Sequence, residues 1–264
     1  MNRSTAGCDA PVASSPDREL EASRKLAASS DATDLEELRE RLERVRERIR
    51  AAGGDPAVVK VVGVTKGFPV SVARTALEAG ICDLGENYAA ELAEKAKVLR
   101  EEVSRPASRQ ACERVRWHFL GALQRRKLKL LAPHVALWQS LAREVEGEEL
   151  SRWAPGAEVL VQVNASQAGD RRGVAPGRVP LVVEHLRALG LEVRGLIAVG
   201  TQGDAGEVRE QFRSLAAVGA RLGLVELSMG MTDDLEVAVQ EGATMVRIGR
   251  GLFGKRTLAR VAAQ

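Results

Sequence analysis

Val58-Val59-Lys60-Val61-Val62-Gly63-Val64-Thr65-Lys66 is apolar at almost every position, and Val159-Leu160-Val161-Gln162-Val163 repeats the pattern farther along the chain. A strand with one face in water alternates apolar and polar residues. A near-continuous apolar run needs cover on both faces, as in parallel sheets flanked by helices. Working outward from these two runs, similar short segments near 58–64, 81–84, 115–120, 135–138, 158–163, 192–198, 224–227 and 244–248 predict strands. Helical spacing near 70–80, 88–102, 124–132, 142–150, 178–189, 205–221 and 233–241 fills the gaps between them. About eight β/α units in roughly 210 residues fit a single α/β domain, a compact (β/α)8 TIM barrel. An open doubly wound sheet is the alternative reading of the same strand count.

Ahead of the first strand, Leu35, Leu38, Leu42, Val45 and Ile49 recur at helical spacing. Thr33 or Asp34 offers a cap and Gly53-Gly54 a break, so an extra N-terminal helix is expected. Residues 1–32 are rich in Ser, Ala, Pro and Asp and carry no apolar core of a signal peptide. They read as a disordered extension to a domain spanning 33–264, within which the polar, Pro-containing stretch 100–114 reads as a loop.

Composition narrows the function classes. With 45% apolar and 28% charged residues and a net charge of +3, the chain is an ordinary globular protein with a weak basic bias. Aromatics at 3% are too sparse for base-stacking platforms, so nucleic acid is not an expected partner. No apolar stretch approaches the roughly 18 residues of a membrane span. The three cysteines, Cys8, Cys82 and Cys112, are odd in number and widely spaced, matching neither a disulfide framework nor a metal site. A reducing, cytoplasmic location follows as the expectation.

In a barrel, function sits at the carboxyl ends of the strands. Lys66 stands there, at the end of the first strand, where burial would lower its pKa and make it a nucleophile able to form a Schiff base. The competing reading is an ordinary surface lysine in the following turn. Asn87, in Gly85-Glu86-Asn87-Tyr88, reads equally as a helix cap or a ligand contact. His118 alternates with Trp117 and Phe119, and a satisfied core histidine is the favoured reading. The loops after strands seven and eight hold Ser228-Met229-Gly230 and Arg247-Ile248-Gly249-Arg250-Gly251. Such loops in barrels commonly bind phosphate, so the anion is assigned to Ser228, Gly230, Gly249 and Arg250. Asp233 and Asp234 are expected to cap the next helix, facing away. A lysine and a phosphate site sharing one barrel mouth point to pyridoxal 5′-phosphate, with Arg247 as partner of the pyridine nitrogen. A rim salt bridge is the alternative for Arg247.

These stretches, with Trp117-His118-Phe119-Leu120-Gly121, Ser228-Met229-Gly230-Met231 and Met245-Val246-Arg247-Ile248-Gly249, resemble the YggS/PROSC family of pyridoxal phosphate homeostasis proteins. That family is related to the N-terminal barrel of alanine racemase, and the resemblance runs from about residue 35 to 256. It implies a Schiff base at Lys66, Arg247 near the pyridine nitrogen, phosphate contacts from Ser228, Gly230, Gly249 and Arg250, and Asn87 beside the cofactor. It also implies a cytoplasmic cofactor carrier or regulator of vitamin B6 and amino-acid pools, without robust catalysis, with apo forms of pyridoxal-phosphate enzymes as recipients. The chain departs from the family at Gly67, where a Thr is usual, at Arg126, where an Asn is usual, and at Arg250, where a Ser or Thr is common.

Three functions stay open on sequence: a non-catalytic pyridoxal phosphate holder, a pyridoxal-phosphate-dependent racemase, and a binder of another phosphorylated metabolite. Racemases bring a second acid/base on a tyrosine from a further domain. With Tyr88 the only tyrosine and no such domain recognised, the holder is the expectation, acting as a monomer and without a metal.

Overall fold

The computed structural model describes residues 34–103, 115–165, 172–201 and 204–255. Eight parallel strands pair in chain order and close into a barrel. They are β1 (Lys60–Val64), β2 (Asp83–Glu86), β3 (Arg116–Phe119), β4 (Val135–Leu141), β5 (Glu158–Gln162), β6 (Glu192–Ile197), β7 (Glu226–Ser228) and β8 (Met245–Ile248). Pairing of β8 with β1, from Lys60 opposite Met245 to Gly63 opposite Ile248, leaves no free edge and excludes the open sheet. The helices are α1 (Leu35–Ala51), α2 (Val70–Glu78), α3 (Ala89–Val103), α4 (Arg125–Leu131), α5 (Glu144–Trp153), α6 (Val179–Ala188), α7 (Ala205–Arg221), α8 (Leu235–Gln240) and α9 (Arg250–Phe253).

Side chains alternate between two cores because a strand's period is two. Val62, Leu137, Leu160, Ile197 and Met245 form the small apolar cluster inside the barrel. The larger core lies between sheet and helices and takes the opposite set, including Trp117 and Phe119. Phe119 meets Trp138 there edge to face, with centroids 5.9 Å apart. His118 therefore points inward, which settles the alternation left open by the sequence.

Helix α1 is the expected extra helix. The Asp34 carboxylate caps it by accepting from the Glu36 N–H at 2.9 Å, and Leu38, Leu42, Val45 and Ile49 are buried. Its polar side also works. Arg48 donates to Glu236 of α8 at 2.5 Å and to the Thr232 carbonyl at 2.8 Å. Arg41 donates to the Leu252 carbonyl of α9 at 2.9 Å. The helix thereby braces the segments that follow β7 and β8.

Three differences from the sequence reading have physical causes. The four-residue α9 and the 3-10 turn at Pro176–Arg178 are too short to show a helical period. Residues 100–102, where the expected helix 88–102 and the expected loop 100–114 overlap, belong to α3, which runs on to Val103; the remainder of that stretch, like the extension 1–32, falls outside the described residues. Cys82, expected to be unpaired, is disulfide-bonded, with its partner outside the described residues. Spacing along the chain says little about which cysteines the fold brings together.

The amino ends of the strands form a charged floor. Lys60 pairs with Glu226 at 3.0 Å, while Arg116 lies between Asp83 at 3.5 Å and Glu158 at 3.7 Å. Burial alone would raise the Asp83 carboxyl. The hydrogen bond and charge of His118, with Arg116 and Lys60, outweigh burial and hold it below its ordinary 3.8. A depressed carboxylate contributes stability above its unfolded value and loses it as pH falls through the folded value. Asp83→Asn should accordingly be less stable than the wild type near neutrality, with the two converging in acid. Urea midpoints measured across pH check this, and a constant offset down the acid limb would contradict it.

Candidate active site at the barrel mouth

A cavity of about 330 Å³ opens at the carboxyl ends of the strands, a size usual for small-molecule sites. Its wall follows the period-two pattern of the inward-facing strand positions. Val64 comes from the end of β1, Gln162 from β5, Ile197 and Val199 from β6 and beyond, and Arg247 and Gly249 from β8 and beyond. Lys66, Phe68, Asn87, Leu120, Met231, Thr232, Asp233, Arg250 and Gly254 complete the lining. Of the residues expected from sequence, Lys66, Asn87, Arg247, Gly249 and Arg250 are brought together here.

Lys66 sits in a stretch of backbone fixed on both sides. Gly67 has φ of +72°, a left-handed conformation that side chains disfavour, and it turns the chain sharply out of the strand. The Gly67 N–H donates to Glu91 at 2.8 Å. On the other side, the Thr65 carbonyl accepts from the Lys95 ammonium at 2.8 Å, and the Thr65 hydroxyl donates to Glu86 at 2.7 Å. Lys95 also donates to Glu86 at 2.6 Å, and both are essentially buried. Burial raises the Glu86 carboxyl, and the bonds from Lys95 and Thr65 only partly offset this. Its Oε2 has no hydrogen-bond partner. Glu86, Glu91 and Lys95 were not singled out in the sequence. The only signal was a glutamate closing an apolar strand, which cannot reveal a lysine of the next helix as its partner.

Arg247 is the second fixed cation. It is 6% exposed, yet no carboxylate among the described residues bonds it. Nη1 donates to the Ser228 hydroxyl at 2.8 Å and Nη2 to the Ala198 carbonyl at 2.9 Å. Desolvation, partly opposed by the charge of Asp234, lowers its pKa to about 10, so it stays charged at neutral pH. A buried guanidinium held only by neutral acceptors keeps its field for whatever enters the cavity. The salt bridge considered for it is not formed among the described residues.

The expected anion loops divide. Gly249 and Arg250 line the cavity, and the N–H groups opening α9 precede its first intrahelical bond. Ser228 and Gly230 do not line it. The Ser228 hydroxyl is turned into the barrel, donating to Gln139 at 2.7 Å while accepting from Arg247. Gly230, with φ of +94°, accepts at its carbonyl from the Arg247 N–H at 3.0 Å. Neither aspartate behaves as expected. Asp233 lines the cavity and pairs with Arg250 at 2.6 Å, because the α9 turn brings that cation alongside it. Asp234 accepts from the Met231 N–H at 2.5 Å instead of capping α8.

The clamp beside Lys66 makes a direct prediction. Lys95→Met leaves the Glu86 carboxylate buried without its counter-charge, at a cost of about 3–5 kcal/mol. Glu86, already raised, should then rise further, so the loss is largest near neutral pH and shrinks as the group takes up its proton in acid. Unfolding free energies of wild type and variant at several pH values measure it.

The family comparisons agree with this geometry. Residues 33–257 match the family described as alanine racemase, N-terminal domain. A pyridoxal phosphate homeostasis protein of Pseudomonas aeruginosa is 37% identical over 223 residues, covering 81% of this chain and 91% of the relative. The structure of PipY from Synechococcus elongatus PCC7942 with pyridoxal phosphate bound superposes with a TM-score of 0.66 at 28% identity, covering 80% of this chain and all of PipY. Alanine racemase from Bacillus anthracis, at 17% identity and a TM-score of 0.61, shares the fold over 87% of this chain and 58% of the racemase. The chain belongs to the pyridoxal phosphate homeostasis protein family, built on the alanine racemase N-terminal barrel.

Proposed function

We propose that this protein holds pyridoxal 5′-phosphate through Lys66 and releases it to recipient apoenzymes, without turning over a substrate of its own. The observation that carries the reading is the pairing, in one cavity, of Lys66 with the buried Arg247, to which no carboxylate among the described residues is bonded. The residues fit the group: an amine for its aldehyde, a donor for its ring nitrogen, and a glycine turn beside an arginine for its phosphate. Bound there, the cofactor supplies an electrophilic carbon and a ring able to withdraw electrons.

The chain's own residues favour holding over turnover. Arg247, with its pKa near 10, donates a hydrogen bond without surrendering a proton at neutral pH, which leaves a ring nitrogen facing it unprotonated. Two-base racemisation requires an acid/base on each face of the ring. Among the described residues, the titratable side chains lining the cavity are Lys66, Asp233, Arg247 and Arg250, and Asp233 is engaged by Arg250. Tyr88, the chain's only tyrosine, is 55% exposed and does not line the cavity. Gly249 and the first turn of α9 offer backbone donors to the phosphate, with Arg250 adding charge. In this reading Ser228 acts through Arg247, and Gly230 shapes the loop.

Mixing the purified protein with pyridoxal phosphate should give a visible absorption band. Borohydride should fix the label on the peptide containing Lys66, and Lys66→Ala should abolish both. Label at any other lysine would sink the assignment, and steady production of the opposite enantiomer from an amino acid would defeat the carrier reading. Arg250→Ser should weaken binding by less than about tenfold, because the exposed Arg250–Asp233 pair it dissolves is worth little.

A further inference from the structure

The barrel interior carries a polar column that ligand contact does not explain. Starting at the mouth, Arg247 of β8 donates to the Ser228 hydroxyl of β7 at 2.8 Å, and that hydroxyl donates to Gln139 Oε1 of β4 at 2.7 Å. Gln139 Nε2 lies 2.6 Å from His118 Nδ1 of β3, and His118 Nε2 lies 2.8 Å from Asp83 Oδ1 at the start of β2. With the Gln139 amide oxygen on Ser228 and its NH2 on the imidazole, the donors run in one sequence. The Asp83 carboxylate can only accept, so His118 Nε2 carries a proton, and in this sequence Nδ1 accepts from the Gln139 NH2. Every donor then points from the mouth toward the floor.

We infer that Ser228, Gln139 and His118 are positioning residues for Arg247, forming a one-way hydrogen-bond chain that holds its guanidinium toward the cofactor. This rests on the pyridoxal phosphate reading only for the identity of the ligand. Around the column the barrel is filled by Val62, Leu137, Leu160, Ile197 and Met245. Aliphatic side chains at the column's positions would satisfy the interior equally well, since well-packed apolar replacements of buried polar networks are often neutral for stability. What aliphatics cannot supply is direction. Ser228 accepts from Arg247 on a lone pair, and Gln139 Oε1, by taking the hydroxyl proton, fixes where that lone pair points. The Gln139 amide is held in that orientation by giving its NH2 to His118 Nδ1. His118 and Gln139 thus set the tilt of a guanidinium they do not touch.

Two kinds of measurement on the full-length protein test the inference. In the cofactor-free, nitrogen-15-labelled protein, the Arg247 side-chain N–H signals, assigned with Arg247→Lys, should be resolved and slow to exchange. Gln139→Met, close in volume and two links away, should collapse those signals and weaken pyridoxal phosphate binding about tenfold, the loss expected for one hydrogen bond to a charged group. Ser228→Ala should do the same and serves if Gln139→Met does not fold. Leu160→Val, a cavity-forming control in the same interior, should lower the melting temperature and leave the Arg247 signals unchanged. Unchanged Arg247 signals in folded Gln139→Met or Ser228→Ala would overturn the inference, as would their equal loss in Leu160→Val. Should the wild type give no visible band with pyridoxal phosphate, the functional reading fails while the nitrogen-15 signals still decide the positioning chain.

Discussion

Closure of β8 onto β1 is the constraint from which the site follows. With Arg247 registered opposite Val62, both residues face into the barrel, and the next inward steps, Val64 and Gly249, reach the mouth. The chain leaves β1 through Lys66 and leaves β8 through Gly249, so the amine and the glycine turn meet over the same opening. A slip of one residue in that register would send Arg247 into the outer core and bring an aliphatic neighbour inward. The site is therefore a consequence of how the sheet closes.

Two buried cations stand near the mouth and are treated in opposite ways. Lys95 is neutralised by Glu86 and, at 3.5 Å, by Glu91, and its task is to hold the Thr65 carbonyl. Its charge is consumed within the protein. Arg247 is given a hydroxyl and a carbonyl, so its charge is not consumed. Desolvating a guanidinium without a counter-ion costs stability, and nothing in the barrel core requires a cation at that position. That cost is understandable where the complementary charge or lone pair arrives with a ligand.

The sequence made the barrel legible because parallel strands buried on both faces have a distinctive composition, and because Lys66 and Arg247 stand where such runs end. Gly249 and Arg250 were legible for the same reason. Ser228 was assigned to the anion because it follows the seventh strand, yet it is the last residue of β7, and its inward parity turns its hydroxyl toward Gln139. Parity at a strand end depends on where the strand stops, which a three-residue strand does not reveal. Glu86 and Lys95 were hidden by a different limit. Their contact joins a strand end to the following helix, and no periodic pattern encodes it. Gln139 and Gln162 were visible as polar interruptions in apolar runs, but only the closed barrel shows what an inward-facing amide can reach.

The bracing of α1 explains why the mouth can be both a binding site and a rigid one. Loops at a barrel's carboxyl end are ordinarily the mobile part of the fold. Here Arg48 holds the Thr232 carbonyl and Glu236, and Arg41 holds the Leu252 carbonyl, so the segments after β7 and β8 are tied from outside to a helix whose apolar face is buried. From inside, the Arg247 N–H holds the Gly230 carbonyl. A site ordered before its ligand arrives spends little conformational entropy on binding. With the Lys66 backbone and the Arg247 guanidinium each fixed by separate groups, retention can rest on geometry as well as on a covalent bond. Under the proposed reading, that is the physical requirement for keeping a reactive aldehyde from wandering and still giving it up intact.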